Sequence, residues 1–308
     1  MQIRTDLAME SGACEGTLSG VITKTLRHDG VEEIQVTIET EEAAKALGKP
    51  MGRYITLCHP AILHAGPDER QSLIRALAEI IRDLAPPFGD LMVVGLGNRH
   101  ITADALGSRT VESLLVTRHM KDAAPEELCG RLRGVCAVAP GVLGITGVET
   151  AEMVQGIAQH VHPSAVIAID ALAARESSRI CTTIQVTDTG IQPGSGVGNH
   201  RLGLTRDTMG VPVIAVGVPM VVYAAVIARD ALAMLLSDVG LPQQEHEQAM
   251  DQLIEKVIQN GLGDLVVTPR EVDELVGQVA RIIGDALNLA FQPRLSEEEI
   301  QLLSHDHL

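Results

Sequence analysis

Two periodicities of apolar residues run along this chain. Over residues 17–40, Gly20-Val21-Ile22-Thr23 and Ile34-Gln35-Val36-Thr37-Ile38 alternate or run β-branched around His28-Asp29-Gly30, the pattern of a β-hairpin. Over residues 67–84, Leu73, Ile74, Leu77, Ile80 and Ile81 recur at helical spacing, and Pro86-Pro87 ends the segment. The run Leu91–Gly97 reads as a strand, followed by a helix from about Ala103 to Arg118. Ala165–Ile169 and Val213–Val218 read as central strands, with Thr182–Val186 as a further candidate. Near the end, Thr268-Pro269-Arg270-Glu271 has the form of a capping box. The stripe Val272, Leu275, Val279, Ile282, Ile283 and Leu287 behind it predicts a long helix. Strands alternating with helices predict an α/β chain: an open, mostly parallel sheet with helices on both faces.

Composition fits that pattern. Apolar residues make up 45% of 308 residues, with no Trp, two Phe and two Tyr, so the core is aliphatic, as buried parallel sheets favour. Thr208–Ala228 carries no charged residue and is long enough for a membrane helix, but Pro212, Gly217 and Pro219 interrupt it. It parses better as a buried strand and a helix that Pro219 helps to start. The net charge of −16 and the lack of a dense Lys/Arg run argue against direct nucleic-acid binding and against an anionic membrane surface. Five cysteines without a C-x-x-C pattern, and a polar N-terminus, suggest reduced thiols in a cytosolic protein.

In open α/β sheets the chemistry sits at the carboxyl ends of strands. Asp104 follows the Leu91–Gly97 strand and Asp170 follows Ala165–Ile169, both among small apolar neighbours. Two convergent carboxylates can share a proton, one activating water and the other donating to a carbonyl. On this reading Asp104, near a helix start, is the base and Asp170 holds the proton. The plain alternative makes each a helix-terminus residue. Asp188-Thr189-Gly190 spells the tripeptide of pepsin-like proteases, but occurs once and in an α/β context. Gly194-Ser195-Gly196-Val197-Gly198-Asn199 lacks the third glycine of a dinucleotide fingerprint. It reads instead as a backbone loop whose N–H groups hold a substrate main chain or an oxyanion.

Several stretches together resemble the germination protease family of spore-forming bacteria. They are Val93–Asn98, Thr102–Gly107, Val116–His119, Pro140–Thr150, Ala168–Arg175, Asp188–Ile191 with Pro193–Asn199, Gly217–Pro219 and Val267–Asp273. The resemblance implies an atypical aspartic endopeptidase that degrades small acid-soluble spore proteins at germination. It implies a self-processing zymogen, a homotetramer, a forespore and spore-core location, no cofactor, and catalytic roles for Asp104 and Asp170. The implied fold is an α/β/α sandwich similar to the hydrogenase-maturation endopeptidases. Arg4–Glu10 resembles the family's processing site and places the cut between Asp6 and Leu7. The expected organisation is therefore a propeptide over 1–6, one catalytic domain over 7–295 and a mobile acidic tail over 296–308. An acidic residue before the cut calls for a cation, for which Arg175 and Arg201 are candidates, and Gly194, Ser195, Gly196 and Asn199 are candidate substrate contacts.

Two other classes compete. A metallopeptidase would recruit His200 to Asp104 and Asp170, since a histidine and two carboxylates form a plausible metal set. A silent binding module would bind without cutting. His160-Val161-His162, just before Pro163, reads as a helix end rather than a ligand pair. A serine or cysteine hydrolase lacks its signals: there is no G-x-S-x-G, and Cys58 and His59 are adjacent on an extended segment, so they point to opposite faces.

Overall fold

The computed structural model describes residues 5–11, 18–28, 30–59, 66–120, 128–192, 202–237 and 265–305. Strands β1 (Val21–His28) and β2 (Val31–Ile38) form the expected hairpin, followed by helix α1 (Glu41–Leu47) and strand β3 (Gly52–Cys58). Helix α2 (Pro67–Leu84), strand β4 (Leu91–Gly95) and helix α3 (Leu106–Glu112) come next. After them lie β5 (Val135–Val138), α4 (Leu143–Thr146), α5 (Thr150–Val161), β6 (Ala165–Ala174) and β7 (Thr183–Thr187). The chain continues with α6 (Arg206–Met209), β8 (Val213–Tyr223), α7 (Ala224–Ser237), β9 (Val266–Val267), α8 (Val272–Phe291) and α9 (Glu297–His305).

One sheet orders these strands β1-β2-β3-β7-β8-β6-β4-β5, with β9 paired to β8. Its centre is parallel, as expected: β5 with β4, β4 with β6, and β6 with β8. Antiparallel pairs extend it through β7, β3 and the hairpin. Alternation of side chains across each strand divides the core between the two faces. Leu91, Val93, Ile167, Ile169, Ile184, Val186, Val216 and Val218 face α2, α3 and α8. The opposite face packs Met92, Val94, Val166 and Ala168 under α5, and Leu172, Ala174 and Val222 under α1, α7 and residues Leu7–Met9. Helices thus cover both faces of the sheet.

The details differ from the sequence reading where long-range pairing overrides local signals. The Ala165 strand does not stop at Asp170 but runs to Ala174, because β8 pairs with it along its whole length. Asp170 is therefore a mid-strand residue, not a helix cap. Pro219 lies inside β8 and starts no helix; α7 begins at Ala224. The ladder accommodates a residue without an N–H by a register shift between Leu172 and Ala173, directly beside Pro219. The helix expected from Ala103 is a 3-10 turn, Thr102–Asp104, followed by the short α3. The Thr102 hydroxyl donates to Asp273 at 2.8 Å. Thr268 does not cap α8: it follows β9, donates to the Met220 carbonyl at 3.0 Å, and leaves Glu271 at the helix start. The acidic end of the chain, expected as a tail, forms α9. Glu297 pairs with Arg75, Glu299 pairs with Arg131, and Ile300 is buried. Among the described residues no helix is long and apolar enough to cross a membrane.

Candidate active site

Asp170 is a buried charged residue on the central strand β6, and one of its oxygens accepts from the Ala171 N–H at 2.9 Å. Its neighbours Ile169 and Ala171 pack toward the α2/α3/α8 core, so its own side chain leaves the opposite face, the face of Leu172 and Ala174. Asp104 comes from the segment that continues β4. Leu96 donates to the Ile169 carbonyl at 2.8 Å, the chain turns at Gly97 with φ +94°, and the 3-10 turn returns Asp104 so that its carboxylate accepts from the Asn98 N–H at 2.7 Å. Gly97 has to be glycine twice over, since a Cβ there would lie 2.0 Å from the Asp104 carbonyl. The turn and α3 are then pressed onto the sheet. A Cβ on Gly107 would meet the Leu96 nitrogen and oxygen at 2.4 Å and the Ile169 carbonyl at 2.6 Å. The structure therefore brings Asp104's turn against β6 and β8, next to the residue that precedes Asp170.

The N-terminal segment runs over the Asp170 face. Asp6 exchanges two bonds with Ala173 of β6: its N–H donates to the Ala173 carbonyl at 3.1 Å, and its carboxylate accepts the Ala173 N–H at 2.9 Å. Leu7 and Ala8 are fully buried among Ile34, Val36, Tyr54 and Leu172. The Asp6 carbonyl accepts from Lys49 Nζ at 2.9 Å and from Gln185 Nε2 at 3.2 Å. Gln185 Oε1 in turn accepts the Ala8 N–H at 2.7 Å, and Lys49 also reaches the Thr5 carbonyl at 3.0 Å. Further on, the Glu10 carboxylate accepts the N–H groups of Arg175 and Glu176, at 2.7 and 3.0 Å, and the Thr5 hydroxyl. Burial pushes Glu10 above its ordinary value and Lys49 below its own, with the Asp6 and Glu10 charges partly restoring Lys49.

Beside this segment lies a cleft of about 890 Å³ lined by Asp6, Lys49, Tyr54, Arg175, Gln185 and Gln192, among others. Arg175 thus shares a cleft with Asp6, while its backbone N–H serves Glu10. Sequence reasoning missed Lys49 and Gln185. Their partners lie 43 and 179 residues away, and the one signal that marked Gln185 is a long amide between two apolar β-branched residues, Ile184 and Val186. Gly194, Ser195, Gly196, Asn199, His200 and Arg201 lie outside the described residues. Asp188 of the pepsin-like tripeptide holds strands together: it accepts the Arg53 N–H at 2.8 Å and pairs with the Arg53 guanidinium at 2.9 Å. Gly190 there takes φ +78°, and a Cβ on it would lie 2.2 Å from the Leu204 carbonyl. His162 is the left-handed C-cap of α5. Burial raises the thiols of Cys58 and Cys136, and that of Cys181 to about 12, which disfavours a thiolate nucleophile at any of them.

The family model of the germination protease matches residues 3–261. Among curated relatives, the germination protease of Caldanaerobacter subterraneus subsp. tengcongensis is 43% identical, over 98% of this chain and 98% of its own length. That of Clostridium perfringens is 40% identical over 97% and 98%, and that of Bacillus subtilis 36% identical over 98% and 97%. Among solved structures, a NiFe hydrogenase maturation protease from Thermococcus kodakarensis is 16% identical, with a TM-score of 0.35, covering 68% of this chain and 98% of that one. That structural likeness is too slight to carry an argument, whereas the sequence matches span nearly the full chain. This chain belongs to the germination protease family.

Proposed function

We propose that this chain is an aspartic endopeptidase that begins the breakdown of small acid-soluble spore proteins during germination. On this reading it is made as a zymogen that cuts itself between Asp6 and Leu7, and Asp104 and Asp170 activate the attacking water. Family membership makes it a protease of spore germination, acting on protein. The observation that carries the finer reading is the course of the N-terminal segment, which is held on β6 at Ala173, on the sheet face into which Asp170 projects. A chain poised to cut itself must lay the bond beside its own catalytic groups, and proximity of that kind is a large part of catalysis.

In this mechanism Asp104, supported by the Asn98 N–H, is the carboxylate that draws a proton from water. Asp170, more deeply buried, carries the proton passed to the reacting carbonyl or the leaving nitrogen. The active enzyme is a homotetramer in the forespore and spore core, and the loop around Gly194–Asn199, with Arg201, contributes substrate contacts. Intact mass of wild type, Asp104→Asn and Asp170→Asn, with and without chelator, tests the core of this reading. Loss of Met1–Asp6 in wild type alone, unaffected by chelator, is expected. Processing in all three would remove both aspartates from the chemistry, and processing abolished by chelator would move them to a metal site with His200. Sedimentation of the processed protein tests the tetramer.

A further inference from the structure

Three neighbouring strands place one residue each in a single transverse row. Asp170 of β6 pairs with Gly217 of β8, and Gly217 pairs with Gln185 of β7. The residues flanking each of them, Ile169, Val216, Val218, Ile184 and Val186, pack into the α2/α3/α8 core. All three positions therefore face the other way, toward the N-terminal segment. With strands spaced by roughly 4.8 Å, Asp170 and Gln185 stand about 10 Å apart at Cα, and only a glycine lies between them. The Leu172 side chain lies over that glycine, where a Cβ would come within 2.5 Å of it, so the glycine makes way for the leucine that packs beneath the N-terminal segment.

Gln185 holds a peptide on this face of the sheet. Its amide spans the Asp6–Leu7 bond, donating to the Asp6 carbonyl and accepting the Ala8 N–H, one contact on each side of it. Lys49 puts a second donor, a largely buried ammonium, on the same carbonyl oxygen at 2.9 Å. Two donors converging on one carbonyl are what a developing oxyanion needs. The main chain of an ordinary buried turn does not require a lysine desolvated at this spot, because a neutral donor would satisfy the carbonyl at lower cost.

We infer that Lys49 and Gln185 form the oxyanion clamp for self-cleavage of this chain, holding and polarising the Asp6 carbonyl in cis. This deepens the reading above and rests on its choice of the Asp6–Leu7 bond. In the step, water adds to the Asp6 carbonyl carbon and gives up a proton to a site carboxylate. The carbonyl electrons move to the oxygen held by Lys49 and Gln185. The C–N bond then breaks, Leu7 nitrogen takes a proton, and the products are the Asp6 α-carboxylate and the Leu7 amine. The clamp adds what the aspartates do not supply: a fixed charge on the oxygen while they manage the protons.

The test follows first-order loss of Met1–Asp6 by intact mass in wild type, Lys49→Met, Lys49→Arg, Gln185→Met and Gln185→Glu, with a thermal melt of each. Gln185→Glu keeps an acceptor for Ala8 and replaces the amide donor by a carboxylate oxygen, so it serves where Gln185→Met fails to fold. Removing one oxyanion donor slows such reactions by about 100- to 1,000-fold. Slowing of that order is expected for Lys49→Met and both Gln185 variants, with Lys49→Arg recovering most of the rate and wild-type processing independent of protein concentration. Wild-type rates in folded Lys49→Met and Gln185→Glu, with wild type still cut at Asp6–Leu7, would overturn the clamp and leave the cleavage site standing. A rate proportional to protein concentration would also overturn it, because the clamp is built within one chain. Wild type cut elsewhere, or not at all, would sink both the clamp and the Asp6–Leu7 reading.

Discussion

A single methyl group at Gly107 should lift the Asp104 turn off the sheet. In the folded chain that methyl would sit 2.4 Å from the Leu96 nitrogen and oxygen and 2.6 Å from the Ile169 carbonyl, where ordinary contact begins at 3.4 Å. All three atoms are backbone in or beside the central strands, so no side chain can swing away. Relief requires α3 and the preceding Asp104 turn to lift from the sheet by about 1 Å, the shortfall between 2.4 and 3.4 Å. Overpacking of this kind costs about 1–3 kcal/mol, and a displacement of about 1 Å in a catalytic group can slow a reaction by roughly 100-fold. The control is the same change at Gly156, exposed in the interior of α5 with nothing within 4 Å of the added Cβ. There, alanine should stabilise by about 0.5–1 kcal/mol through helix propensity. Denaturant unfolding gives the stability of both variants, and intact-mass kinetics or peptide hydrolysis gives their activity. Gly107→Ala should lose both stability and cleavage, and Gly156→Ala neither. If Gly107→Ala unfolds and cleaves like wild type, the close approach of α3 to Leu96 and Ile169 does not position Asp104.

Leu7 is fully buried in the cluster around Ile34, Val36 and Leu172, so Leu7→Ala should cost about 2–5 kcal/mol in urea unfolding; a change below about 1 kcal/mol would mean that the segment does not dock. Burial raises Glu10 from 4.5, so the native state holds its proton to higher pH than the unfolded chain. Its contribution to stability is then fully present below about 4.5 and lost as pH rises through the folded-state value, a slope that Glu10→Gln should flatten in unfolding curves taken between pH 4 and 8. Hydrogen bonds from Arg131 and from the Ser296 N–H hold Glu299 down at about 2. That stabilisation is present above about 4.5 and disappears as pH falls through about 2, and Glu299→Gln should remove the acid dependence while loosening α9 in hydrogen exchange near Ile300.

What the sequence determined by itself was whatever depends on near neighbours. The hairpin, α2 and the stripe of α8 were legible because alternation and 3.6-residue spacing are local consequences of which face is buried. The positions of Asp104 and Asp170 after apolar runs were legible for the same reason, and the ordered set of motifs marked the family. Less came through where local signals were weak or misleading. β3 and β5 escaped notice: β3 is buried along most of its length without clean alternation, and β5 has only four residues. The charge of Asp170 and the ring of Pro219 read as strand ends, yet the β6–β8 ladder carries both, because each strand supplies partners along the length of the other. Only the tertiary structure could decide that Asp170, Gly217 and Gln185 stand in one row on the same sheet face, that Gly107 presses the Asp104 turn onto Ile169, and that Lys49, 43 residues from Asp6, reaches its carbonyl. Those contacts depend on the spacing and facing of strands distant in sequence, which no local pattern encodes.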